Sequence, residues 1–338
     1  MYKRLHKSVV TISDIAAALG VTPSTVSRAL SGHPRVREET RQAVLQKAGE
    51  MGYERNVMAS NLRRGRSDIV GIVIPRIYRE FFSNVIGGAE SILRQAGYNV
   101  LISQTMEKKD AELHALRTLR KYQVACIMMS HSIESDDPQA VSEAIGDTPL
   151  VQFDRVFSSL PGAKVVNDNF ESAYAATRHL ASKGYKRIGH LAGHFTCEAF
   201  VERFKGYRTA LEDCGLEYDE SIVFHETIVR ESGHLAARKA VAAGCDALYS
   251  AGDFSALGAI EGLREMGLCI PRDFGMVGTA DEAFTGIMTP SLSSLDQHPY
   301  EIGQAAAKAF LFGSKAWSLI SMELKIRESS NRKEICLK

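Results

Sequence analysis

From Asp68 onward, β-branched runs and amphipathic helical segments take turns, and this alternation constrains the fold more than any other feature of the chain. DIVGIVIP reads as a buried parallel strand, FFSNVIGGAESILRQAG as the helix after it, and YNVLIS as the next strand. The pattern runs on through ACIMMS, PLVQFD, KVVN, RIGHLAG, DALYSA, FGMVGT and LSSLDQ, with helical segments such as FESAYAATRHLASKG, RFKGYRTALEDCG and YEIGQAAAKAFLF between them. Such alternation builds parallel sheets covered by helices on both faces. Roughly 260 residues of it are too many for one sheet of usual size, so two lobes are expected. We place them at about 68–165 with 299–328, and at about 166–298. ISMELKIRE alternates like an edge strand and is counted with the first lobe.

Ligands of such sheets bind beyond the carboxyl ends of the strands. Those ends carry Pro75 to Phe82, Ser130, Asp154 with Arg155, Asp168 with Asn169, Asp253 and Asp281. Helix capping is the competing role for Asp168, Asn169 and Asp253, which stand just before helices.

The first 66 residues differ in kind. In TISDIAAALGVTPSTVSRAL, Ile12, Ile15, Ala16 and Leu19 give one helix a single apolar stripe, and Gly20 ends it. Thr22 is a good N-cap for a second helix, and Pro23 suits its first position because the missing N–H would be unpaired there. Val26, Ala29 and Leu30 face inward, while Ser24, Thr25 and Arg28 point elsewhere. A third helix repeats Val44, Ala48 and Met51 and stops at Gly52. Two short helices on a tight turn, the second presenting hydroxyls and an arginine, match a helix-turn-helix that enters the DNA major groove. Charge agrees: residues 1–66 hold 12 Lys and Arg against 5 Asp and Glu, and the remainder 29 against 35. A basic head on a mildly acidic body is the footprint of a nucleic-acid module joined to something else. We bound the head at 8–55, with a hinge and linker at 56–67 containing NVMASNL.

No apolar run approaches the ~18 residues of a membrane span, and the N-terminus lacks a secretory signal, so a cytoplasmic protein is expected. The six cysteines form no C-x-x-C and imply neither a disulfide framework nor a zinc site. Nothing calls for a cofactor.

In order, TISDIAAALGVTPSTVSRALSGHPRVREETR, GYERNVMASNLRRGRSDIVGIVIP, DNFESAYAATRHL, RFKGYRTAL, GDFSALGAIEGL, TPSLSSLDQ and IRESS resemble the lac repressor/galactose repressor family. The resemblance implies an all-α helix-turn-helix head and an α/β two-lobed body similar to periplasmic sugar-binding proteins. It also implies a homodimer, double-stranded operator DNA as partner, and a small-molecule effector. By that resemblance Pro23, Ser24 and Arg28 meet the major groove, with Thr22, Thr25 and Ser27 near phosphates. Arg can fork to guanine, whereas Pro23 offers only apolar contact. Asn56 and Leu62 belong to the hinge, where Leu62 matches a leucine that wedges between base steps in the minor groove. Arg203 matches the arginine that holds the effector; Phe81, Phe82, Ser130, Asp154, Tyr249, Asp281 and Gln297 align with cleft positions. Core packing is the competing role for one of the two phenylalanines.

Two departures bear on the ligand. Many sugar-responsive members have Asn-Asp where this chain has Gly252 and Asp253, and an aromatic-Asp-Asp/Asn run where it has Thr279, Ala280 and Asp281. Ala280 thus replaces a carboxylate that grips sugar hydroxyls, which tilts the expectation from a neutral sugar to a sugar acid or sugar phosphate. The rival readings are a cytosolic α/β enzyme and a solute-binding protein. Against the enzyme, the chain has no G-x-S-x-G elbow, phosphate loop or G-x-G-x-x-G turn. Against the receptor stand the basic head and the missing secretion signal. A sequence-specific transcriptional repressor controlled by a ligand between its lobes is the expected function.

Overall fold

The computed structural model describes residues 10–53 and 67–332, in two compact units, 1–66 and 67–338. The expected hinge, with Asn56 and Leu62, lies outside the described residues, as does Cys336. Of the other cysteines, Cys126, Cys197 and Cys245 are buried and Cys214 and Cys269 exposed, all as free thiols.

In the first unit, helices α1 (Ile12–Leu19), α2 (Pro23–Leu30) and α3 (Glu38–Glu50) close on Ile15, Ala16, Val26, Ala29, Val44 and Ala48. Thr22 caps α2 as expected, its hydroxyl accepting the Thr25 N–H at 3.2 Å, with Pro23 in the first turn. Gly20 and Gly52 end α1 and α3 at φ +65°, a backbone that side chains disfavour. A capping box on α1, with Thr11 and Asp14 each accepting from the other's N–H, is an added start signal.

The second unit holds two six-stranded sheets. Strands β1 (Ile69–Ile74), β2 (Asn99–Gln104), β3 (Cys126–Met129), β4 (Leu150–Phe153), β5 (Ala163–Asn167) and β11 (Trp317–Ile320) form the first, in the order β11-β5-β4-β3-β1-β2. The second is β12-β10-β9-β8-β6-β7, made of β6 (Ile188–Leu191), β7 (Val223–Phe224), β8 (Ala247–Ser250), β9 (Gly275–Thr279), β10 (Ser293–Asp296) and β12 (Glu323–Lys325). Pairing is parallel except between β10 and β12. Helices cover both faces of each sheet. On the first, α4 (Glu80–Leu93) packs on α12 (Pro299–Leu311), and a Cβ at Gly88 would lie 2.0 Å from the Tyr300 carbonyl oxygen. Gly88 therefore lets the two helices approach closely.

The lobe boundary expected near the C-terminus needs correction. ISMELKIRE is not one edge strand of the first lobe: β11 pairs with β5 in the first sheet, and β12 with β10 in the second. The chain crosses between them because Asn167 Nδ2 holds the Ile320 carbonyl at 2.9 Å while Asp168 takes the Met322 N–H at 2.8 Å. The stretch through 323–328 thus belongs to the second lobe. The two-residue β7 lies within a segment that carries no strand-length pattern.

Candidate functional site

On the first unit the surface that matters is α2. Pro23, Ser24 and Arg28 are exposed, Thr25 and Ser27 half-buried, and Val26 and Ala29 face the core. The Thr22 hydroxyl lies 2.8 Å from that of Ser24 and 2.9 Å from that of Thr25, so three hydroxyls share the N-terminal end of the helix. This end is also the positive end of the helix dipole, an environment that attracts phosphate.

In the second unit, a cavity of about 100 Å³ lies between the lobes, beyond the carboxyl ends of both sets of strands. Five of the expected residues line it: Phe81, Phe82, Asp154, Arg203 and Gln297. The two phenylalanines meet edge to face at 5.1 Å and, while lining the cavity, are also part of the first lobe's core. Arg203, on helix α8 (Glu198–Asp213), is 4% exposed. Its Nε donates to Asn169 Oδ1 and one Nη to the Ala251 carbonyl, both at 2.8 Å. Burial holds its pKa below the usual arginine value.

Three expected residues do not reach the cavity. Ser130 is fully buried and donates to Asp154 at 3.1 Å, so it orients a lining residue. Tyr249 is also fully buried, its ring stacked on His190, because β8 turns that side chain into the core. Asp281 faces away, ion-paired with Arg327 at 2.6 Å and accepting the Thr285 hydroxyl at 2.9 Å.

The capping role expected of three residues is also replaced. Asp168, Asn169 and Asp253 make no side-chain cap, since each finds a stronger partner across the fold. Asn169 aims Arg203, and Asp168 holds Met322. Asp253, 1% exposed, accepts the Glu282 N–H at 3.0 Å and the Ser294 hydroxyl at 2.7 Å. Burial pushes its carboxyl up to about 7, against the pull of both hydrogen bonds. Only glycine fits opposite it, for a Cβ at Gly278 would lie 2.0 Å from Asp253 Oδ1.

In the sequence Arg155 and residues 75–80 are marked only as strand ends; the structure brings Arg76, Arg79 and Arg155 into the lining with Glu107, Phe200, Phe254 and Glu282. Arg155 pairs with Glu107 at 2.8 Å, and Arg76 approaches the same carboxylate at 3.6 Å. Arg79 lies over the Phe254 ring, 3.5 Å from its centroid. Two carboxylates cross between lobes: Glu282 accepts the Glu80 N–H at 3.2 Å, and Glu80 accepts the Ala283 N–H at 2.6 Å. Glu107, Asp154, Ala280 and Asp281 all hold positive φ, and such strain in non-glycine residues gathers at ligand sites.

With a helix-turn-helix on one unit and an inter-lobe cavity in the other, comparison with known proteins decides the family. Residues 11–56 match the bacterial regulatory proteins of the lacI family, and residues 177–329 match the periplasmic binding protein-like domain. Catabolite control protein A of Priestia megaterium is 30% identical over 305 residues, spanning 88% of this chain and 91% of that protein. The chain belongs to the lacI family.

The transcriptional repressor PurR of Vibrio cholerae is 27% identical over 305 residues, covering 90% of this chain and 91% of its own. Among solved structures, the complex of the transcriptional regulator CelR with cellobiose is 28% identical, with a TM-score of 0.72 over 95% of this chain and 99% of that one. The lac repressor dimer bound to operator and an anti-inducer shares the fold, with 23% identity and a TM-score of 0.83 over 96% and 100% of the two chains. These lacI-family relatives are transcriptional regulators, not enzymes, and this chain is a DNA-binding transcriptional regulator with a ligand-binding body. No helix among its described residues is long and apolar enough to cross a membrane.

Proposed function

We infer that the chain is a homodimeric, cytoplasmic repressor whose operator affinity is set by a sugar, sugar acid or sugar phosphate held between the lobes. The observation that carries this reading is the cavity itself, lined from both lobes and bordered by Gln297 at a crossing point. At about 100 Å³ it is smaller than the ~300 Å³ or more of common ligand pockets, so a sugar-sized ligand has to shift the lobes or their side chains to enter. A ligand that fits one lobe angle better than another shifts the equilibrium between them and, through the hinge, the spacing of the two heads. The cellobiose held by CelR supports a sugar-like effector.

On DNA, each α2 enters the major groove of one half-site, with Ser24 and Arg28 reading bases, Pro23 making apolar contact, and Thr22, Thr25 and Ser27 near phosphates. Asn56 and Leu62 serve the minor groove from the hinge, Leu62 as the wedge. The test is a binding selection on random duplexes with the full chain, followed by anisotropy titrations with sugars, uronates and sugar phosphates. The reading predicts a near-palindromic site and at least one small molecule that moves its affinity; a protein that selects no site would refute it.

A further inference from the structure

We propose that Arg79 and Arg203 form a two-armed clamp, one arm from each lobe, for a polyhydroxy ligand carrying two negative charges. The clamp rests on the reading of the cleft as the effector site. Four arginines line the cavity, and two are already ion-paired, since Arg155 and Arg76 share Glu107 and Arg155 also lies 3.9 Å from Asp154. The other two differ in kind. Among the described residues neither Arg79 nor Arg203 makes an ion pair. Arg203 is fixed by neutral acceptors, the Asn169 side chain and the Ala251 carbonyl, which set its direction without forming an ion pair. Arg79 rests on the face of Phe254, which attracts a guanidinium without cancelling it. Two guanidiniums without a direct ion pair, one from each lobe, gain charge-assisted contacts from a dianion that spans them.

No carboxylate of the same lining forms an ion pair with Arg79 or Arg203, although Glu282 lies near the first and Asp154 near the second. Glu107 is taken by its arginines, and Asp253 is bonded to Ser294 and to the Glu282 N–H. Glu282 holds the Glu80 N–H, and Asp154 accepts from Ser130 with Arg155 Nε 3.9 Å away. Each is satisfied within the protein and keeps lone pairs for ligand hydroxyls, which is why the ligand is polyhydroxylated as well as anionic. The shared chemistry is that of an aldarate-type dicarboxylate or a sugar phosphomonoester. Arg79 starts a first-lobe helix and Arg203 lies on a second-lobe helix, so such a ligand ties the lobes together.

The test is calorimetric titration of the full-length protein at pH 7.5 with galactose, galacturonate, galactarate and galactose 1-phosphate, a series of one carbon skeleton and rising charge. One or both dianions should bind at least about tenfold tighter than galacturonate, as expected for one more charge-assisted contact, and galactose should bind weakest. Galactarate in the lead assigns a dicarboxylate, galactose 1-phosphate a phosphomonoester. Arg79→Gln should weaken the preferred dianion about tenfold or more while changing galacturonate less than about threefold, and Arg79→Lys should recover part of the loss. Galactose binding as tightly as the dianions, an Arg79→Gln variant that treats all four alike, or binding of none of them would overturn the clamp. Failure of the effector reading is separate: it shows as a ligand that binds and leaves operator affinity unchanged.

Discussion

Asn167 and Gln297 are joined by two hydrogen bonds of opposite direction. Asn167 Nδ2 donates to the Gln297 carbonyl, and Gln297 Nε2 donates to Asn167 Oδ1, each at 3.0 Å. The same Asn167 amide donates to the Ile320 carbonyl, so one buried side chain joins all three places where the chain passes between lobes. Gln297 also lines the cavity, which puts the cavity beside these inter-lobe crossings.

Asn167→Ala should therefore destabilise the body by about 3 kcal/mol, because it leaves buried carbonyls and an amide without partners. Urea unfolding of the full chain measures this through the midpoint of the body transition. A loss below about 1 kcal/mol would mean the crossings are held by other contacts.

Asp253 predicts a pH dependence. Its carboxyl is held at about 7 in the folded protein against an ordinary 3.8, so between those values the native state binds more protons than the unfolded chain. The stability this group contributes is fully present below about pH 4 and is lost as pH rises through about 7. Asp253→Asn, neutral at every pH, should flatten the fall in melting temperature from pH 5 to pH 8. Parallel melting profiles for the two proteins would contradict the assignment.

The layered body was legible because buried parallel strands and amphipathic helices leave periodic apolar signals, and α2 because Thr22 and Pro23 start a helix in a recognisable way. Arg203 was legible only through resemblance, since nothing local marks an arginine that Asn169 will aim from 34 positions away. Ser130, Tyr249 and Asp281 show the opposite limit. They occupy strand ends, as cleft residues do, but a half-turn of side-chain direction sends them to Asp154, His190 and Arg327. The division of ISMELKIRE between two sheets depends on Asn167 and Asp168, which lie about 150 residues away in sequence and leave no trace in its alternation.

Thr22→Ala removes the side-chain cap of α2 and should cost the head about 1 kcal/mol, read as a lower midpoint of the head's helical signal. Thr22→Asn, another capping residue, should restore most of it. Equal losses in both variants would show that capping is not what Thr22 contributes.

Arg28→Ala should cost about 1–3 kcal/mol in operator affinity and relax preference at one base pair in each half-site. Its measurement is a competition titration over single-base variants of the selected site. A uniform loss across all variants would make Arg28 a phosphate contact. Raising salt should weaken the wild-type complex steeply, since the basic head releases counterions on binding.

Coupling between the cleft and the DNA-reading head is measured most directly by a linkage cycle on the full chain. Operator affinity is titrated with and without a saturating cleft ligand, and ligand affinity with and without saturating operator. The two ratios should be equal and differ from one by about fivefold or more, as for coupling of about 1–3 kcal/mol. Two ratios of one, with the ligand demonstrably bound, would contradict the coupling.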